Sequence, residues 1–186
     1  MNTYTIYSLG VFAIWAVFII YWAVSAARVK KDVERAGNRW QWFGPAVIAI
    51  IIASFLFPAL NERVIPLNNI TGPIALAASA LGIGYAIWAR RHLGKNWSAT
   101  PALKEDHALV TSGPYRLVRH PIYTGVLLAF VGSIIVSTAL WMILLAVVAA
   151  MFIWRVNVEE ALMTREFPNE YPEYKKKTWA LVPFVW

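Results

Sequence analysis

From Pro121 to Trp154 the chain runs 34 residues without a charged side chain. As one α-helix that stretch would be about 50 Å long at 1.5 Å per residue, well beyond the roughly 30 Å hydrocarbon core of a bilayer. Ser137-Thr138 is the adjacent polar pair in its interior, and it marks the expected turn of a tight helical hairpin. Equal halves of about 26 Å each would only just cross the core. Pairing about position 139 sets His120 opposite residue 158. The cationic stretch before the hairpin and the acidic pair Glu159-Glu160 after it then share one membrane surface. A single tilted helix is the competing arrangement, and it would put Glu159 on the far side from His120.

Three earlier apolar runs extend this reading. They predict helices over 4–27, 44–60 and 71–90, giving five membrane helices in an all-α integral membrane protein. Charged residues make up only 15% of the chain, against about 25% in soluble domains. Pro45 suits a first turn, and Pro58 a bend or an end. Thr71 or Gly72 is the expected cap of the third helix. Ala75, Ala78, Ser79, Gly82 and Ala86 give that helix a small-residue face for close packing, which Gly84 is expected to widen. The chain reads as a single domain, 1–186, with N-terminal helices over 1–84 and the chemistry in 85–186.

Residues 28–42 hold five cations against two acids, and residues 90–120 hold six against two. By the positive-inside rule both segments are cytoplasmic and the N-terminus is outside. The net charge of +7 is accounted for in this way, and nucleic-acid binding is not expected. Trp40 and Trp42 read as interfacial anchors. The tail beyond Arg155 carries Leu162, Phe167, Tyr171 and Tyr174 as an apolar stripe, interrupted by Pro168 and Pro172. It is expected to form a cytoplasmic interfacial helix, with Trp179–Trp186 at the membrane surface. No cysteine is present, and three scattered histidines make no metal centre.

The ionisable groups gather at one lip. No charge sits in mid-helix, which argues against an ion relay. Tyr115, Arg116, Arg119, His120 and Tyr123 stand before and at the start of the fourth helix, and Glu159 and Glu160 follow the fifth. Each has a plainer use: His120 as a helix cap, the arginines as interfacial anchors, the tyrosines as belt residues, Glu159 as the partner of Arg155 one turn earlier. Their convergence instead describes a site for a polar, partly zwitterionic ligand entering from the cytoplasm beside a lipidic one.

Gly113-Pro114-Tyr115-Arg116-x-x-Arg119-His120-Pro121-x-Tyr123-x-Gly125, followed by Glu159-Glu160, resembles the isoprenylcysteine carboxyl methyltransferase family. More broadly it resembles the membrane methyltransferases that include phospholipid N-methyltransferases. Leu93-Gly94-x-x-Trp97-Ser98 and the tail from Leu162 through Phe167, Tyr171, Tyr174 and Pro183 are similar as well. The resemblance covers about residues 85 to 186, and Pro168 departs from it where relatives commonly carry glycine.

It implies S-adenosylmethionine as methyl donor, in a cytoplasm-facing pocket under the C-terminal segment. A lipidic or prenylated acceptor would arrive from the membrane lipids, and no protein partner is implied. Glu159 or Glu160 would take the donor's ammonium. His120 with Tyr115 or Tyr123 would take its carboxylate and adenosyl side. Arg119 would fix the loop or pair with the second glutamate. Arg165 would hold an acceptor carboxylate, which needs no general base. A phospholipid amine is the alternative acceptor, and it would need one.

Overall fold

A computed structural model describes residues 3–26, 32–35, 43–98, 100–104 and 108–186. Among them lie six α-helices: α1 (Thr3–Ala26), α2 (Phe43–Leu56), α3 (Thr71–Leu93), α4 (Pro121–Val136), α5 (Ala139–Glu166) and α6 (Glu170–Lys177). Three helices, α1, α3 and α5, are long and apolar enough to cross a bilayer. Helix α4 is apolar but has 16 residues. Helix α2 has 14, because the chain leaves it before Pro58 and enters a 3-10 turn, Pro58–Asn61. Five apolar helices are therefore present, and three reach spanning length. Trp40 and Trp42 fall outside the described residues.

The stretch from Pro121 to Trp154 divides unevenly. Helix α4 starts at Pro121, where a missing N–H costs nothing, and it stops at Val136. Helix α5 starts at Ala139 and continues through Glu159 and Glu160 to Glu166. No proline or glycine interrupts it until Pro168. Phe167, just before that proline, has the extended φ of −122° that proline imposes on its predecessor. The loop after α2 closes the junction between α4 and α5. Arg63 donates to the Val136 carbonyl at 3.0 Å, and the Ala139 N–H donates to the Glu62 carbonyl at 3.0 Å.

Helix α3 lies along α4 more extensively than any other two elements meet. The seam consists of small residues. A Cβ on Gly82 would stand 2.5 Å from the Gly125 carbonyl oxygen and 2.6 Å from the Ala129 nitrogen. A Cβ on Gly125 would stand 2.5 Å from the Gly82 carbonyl oxygen. Ala75, Ser79, Ala86 and Ala129 are fully buried along the seam. Helix α1 adds Trp15, whose indole N–H donates to the Ser133 hydroxyl at 2.8 Å.

Two sequence expectations for α3 are corrected. Gly84 is exposed with open space around it, so it does not widen the seam. It stands two residues from Gly82, about 200° around the helix. The N-terminal cap is Asn68, whose side-chain oxygen accepts the N–H groups of Ile70 at 2.8 Å and Thr71 at 3.0 Å. Neither Thr71 nor Gly72 serves as cap.

The all-α expectation has one exception. Strand β1 (Asp32–Arg35) pairs antiparallel with β2 (Ala102–Lys104). This two-stranded ribbon joins the two basic segments at one end of the molecule. The C-terminal segment crosses the same end. The N–H groups of Arg119 and His120 donate to the carbonyls of Trp179 and Ala180, at 2.8 and 3.0 Å. Thr124 donates its hydroxyl to the Leu181 carbonyl at 2.6 Å.

Candidate active site

The start of α4, the last three turns of α5 and helix α6 surround a cavity of about 820 Å³, counting its open mouth. Tyr115, Arg119, His120, Tyr123 and Glu159 all line it. Backbone packing brings them together. The Gly82–Gly125 seam fixes α4, and α4 carries Tyr123 into contact with Phe152 of α5, their rings stacked at 4.4 Å.

Glu159 faces the cavity. Its Oε1 accepts from the Tyr123 hydroxyl and from Arg155 Nε, both at 2.7 Å. Its Oε2 lies 3.4 Å from His120 Nδ1. Glu160 faces the other way. It accepts from Arg119 Nε at 2.6 Å and pairs with Lys175 at 2.5 Å. Adjacent residues on a helix diverge by about 100°, so one glutamate serves the cavity and the other clamps α6. Arg119 reinforces the clamp by donating to the Thr178 carbonyl.

His120 occupies the position before α4 but makes no side-chain cap bond. Its side chain is 9% exposed, and it stacks on Tyr123 at 5.5 Å. Burial alone would lower its pKa. The flanking Glu159 and Glu160 outweigh that and raise it above the usual histidine value. The imidazole is thus biased toward its charged, doubly donating form. Nε2 lies 3.4 Å from Glu160 yet is buried with no hydrogen-bond partner. The contact is too long or too bent to satisfy it. An unpaired buried donor is costly; the imidazole lines the cavity, with this nitrogen turned toward Glu160 and Nδ1 toward Glu159. Burial also raises the phenols of Tyr115, Tyr171 and Tyr174 above the usual tyrosine range, so all three are neutral donors.

Arg165 lies elsewhere. It is exposed and lines a separate cleft with Asn157, Glu160, Thr164 and Lys175. Six residues along a helix turn it about 120° away from Glu159. The cation beside Glu159 is Arg155, 6% exposed, which also donates to the Ser98 carbonyl at 3.1 Å. Sequence reading treated Arg155 only as a partner for Glu159. It also took Tyr171 and Tyr174 as part of an interfacial stripe, whereas both are buried and line the cavity. The i, i+4 spacing from Arg155 to Glu159 was the available signal. Among the described residues no group of three or more His, Cys, Asp or Glu side chains could hold a metal.

A family model described as phospholipid methyltransferase matches residues 71–170. The cobalt-zinc-cadmium resistance protein CzcN of Cupriavidus metallidurans is 30% identical over 140 residues, covering 74% of this chain and 60% of that protein. The protein-S-isoprenylcysteine O-methyltransferase of Saccharomyces cerevisiae is 29% identical over 145 residues, covering 75% and 61%. That of Schizosaccharomyces pombe is 34% identical over 104 residues, covering 50% and 41%. The chain thus spans 41% to 61% of the length of these relatives. Among solved structures, the eukaryotic intramembrane Ras methyltransferase (isoprenylcysteine carboxyl methyltransferase) shares the fold. Its TM-score is 0.57 at 23% identity, over 82% of this chain and 55% of that one. With 100 of its 186 residues inside the family match, the chain belongs to the phospholipid methyltransferase family.

Proposed function

We propose that the chain is an integral membrane methyltransferase using S-adenosylmethionine. Its acceptor is the carboxylate of a prenylated cysteine or a similar lipidic acid at the cytoplasmic face. The observation that carries this reading is the buried Glu159–Tyr123–Arg155–His120 constellation opening onto one cavity. The names of the isoprenylcysteine methyltransferase relatives support the acceptor class. The membrane arrangement that goes with it is five helices, with α4 and α5 as a hairpin and the N-terminus outside. The meeting of both basic segments in the β1–β2 ribbon supports a single cytoplasmic end.

The residues present fit a zwitterionic donor. Glu159 offers a carboxylate to its ammonium, and His120, whose imidazole lines the same cavity, offers an N–H to its carboxylate. Tyr115 supplies a buried neutral wall beside them. Glu160, Arg119 and Lys175 hold α6 and the C-terminal strap over the cavity, excluding water from it. When bound, S-adenosylmethionine supplies a methyl group on a sulfonium, which leaves as a neutral thioether when the acceptor oxygen attacks in line.

The match to phospholipid methyltransferases favours a second reading, in which the acceptor is a phosphatidylethanolamine-type amine. Such an amine arrives as an ammonium and needs a base. His120 is biased to its charged form, and Glu159 already accepts two strong hydrogen bonds. The site therefore suits a carboxylate, which is ionised at neutral pH.

Labelled-methyl transfer by the solubilised protein tests both readings. Farnesylcysteine analogues and phosphatidylethanolamine are offered side by side. Methyl esters from the prenylated acid are expected. Label appearing only in the phospholipid overturns the carboxylate reading, and failure to bind S-adenosylmethionine by calorimetry overturns the enzyme.

A further inference from the structure

Helices α1 and α3 end side by side at the basic lip, and an open pocket of about 800 Å³, counting its mouth, lies between their last turns. Tyr21 and Val24 of α1 form one wall. Arg90, Arg91 and Lys95 form the other. Among the described residues no acid lines it.

The three cations are not equivalent. Arg90 is buried and committed to the backbone. It donates to the Ser25 carbonyl at 2.9 Å and to the Gly94 carbonyl at 2.7 Å, and its guanidinium is backed by the Trp97 ring at 4.4 Å. Carbonyls at a helix C-terminus carry partial negative charge and repel an anion. Arg90 covers one such carbonyl from each helix and so removes that repulsion. Arg91 and Lys95 are exposed, and among the described residues neither makes an ion pair. Gly94 ends α3 at a φ of +58°, a conformation that glycine adopts without strain. The turn it makes brings Lys95 to the same pocket as Arg91.

The surface leading up to the pocket is apolar. Val17, Ile20 and Val24 are exposed at the i, i+3, i+7 spacing of one helix face. On α3, Gly84 stands seven residues before Arg91, two turns away on the same face. Nothing lies within 4 Å of where its Cβ would be, and exposed Leu81 and Trp88 stand beside it. A cationic pocket at the end of exposed apolar faces fits a ligand with an anionic head and apolar tails. Free phosphate shares the chemistry of the head but gains nothing from those faces.

We propose that this pocket holds the phosphodiester of an anionic glycerophospholipid, with Arg91 and Lys95 as its ligands and the acyl chains along α1 and α3. Basic pockets between membrane helices bind anionic headgroups in this way. A zwitterionic lipid would bring a second cation into a site that already has three, so the pocket discriminates by net headgroup charge. This lipid is distinct from the methyl acceptor, because no residue that lines the pocket also lines the active-site cavity. The inference goes beyond the proposed function and does not rest on it.

The test uses the full chain in detergent micelles containing phosphatidylglycerol and phosphatidylcholine of matched chains, with retained lipid counted by native mass spectrometry. About tenfold preference for phosphatidylglycerol is expected, from two cations near one headgroup. In Arg91→Gln/Lys95→Gln the preference should fall to about threefold or less, with thermal unfolding checking that the variant is folded. Arg116→Gln/Lys177→Gln removes two other exposed cations and should keep the preference. Inorganic phosphate in large excess should not displace the lipid. An equal fall in both double variants would mean attraction by diffuse surface charge, and it overturns the site. So does the absence of a preference in the wild type. Displacement by phosphate overturns the lipid as occupant. Failure to bind S-adenosylmethionine would overturn the proposed function and leave this lipid site standing.

Discussion

Helix α4 meets its two main neighbours in opposite ways. Against α3 it presents Gly125 and Ala129, and the contact is backbone on backbone. Against α5, at its N-terminal end, it presents His120 and Tyr123, and the contact is charge, hydroxyl and ring. The first interface has almost no chemistry and no slack. The second has the chemistry and encloses a cavity. Sub-ångström placement of catalytic groups needs a rigid support, and the seam supplies it one helix away from the site.

The largest predicted effect comes from breaking the seam. Gly82→Ala puts a methyl 2.5 Å from the Gly125 carbonyl oxygen and 2.6 Å from the Ala129 nitrogen. Both are backbone atoms, so α3 and α4 must separate. A loss of about 3 kcal/mol is expected, the upper part of the overpacking range, together with loss of cofactor binding as His120 and Glu159 move apart. Thermal unfolding in detergent measures the first and calorimetry the second. A variant with wild-type melting would mean that the seam is not the support.

The second prediction separates the faces of α5. Glu159→Gln should weaken S-adenosylmethionine binding by roughly ten- to a hundredfold, about 1.5–3 kcal/mol for a charged hydrogen bond. Glu160→Gln should lower stability, because Arg119 and Lys175 lose a shared partner. Its effect on affinity should be smaller and indirect, through a looser α6. Equal affinity losses in the two variants would show that the cavity face and the clamp face are not distinct.

How much of this was legible in the sequence follows from the same contrast. The lip was legible. Ser137-Thr138 stands between α4 and α5, and counting back from it brought His120 level with Glu159. Charge and polarity carry that information one residue at a time. The uneven division of the hairpin was not legible, because α5 ends where a proline forbids it rather than where the apolar run ends. The division of labour between Glu159 and Glu160 needed a rotation angle that sequence alone leaves unanchored. Arg165 shows the cost: six residues from Glu159 reads as near, yet it turns the side chain to another cleft. Asn68 as a cap was missed because its oxygen reaches forward past Ile70, and threonine in a first turn is the more familiar signal.

The smallest predicted effect sharpens the comparison most. Gly82 and Gly84 are both helical glycines two residues apart, and composition cannot distinguish them. Gly84 has nothing within 4 Å of where its Cβ would stand. Gly84→Ala therefore adds no clash, and it removes backbone freedom from the unfolded chain. A gain of about 0.5–1 kcal/mol is expected, opposite in sign to Gly82→Ala. A melting temperature that rises for Gly84→Ala and falls for Gly82→Ala, with cofactor affinity unchanged in the former, would localise the support to one stripe of α3. If Gly84→Ala were instead as damaging as its neighbour, that exposed face would have to pack against something in the membrane. The seam would then explain only part of what holds α4 in place.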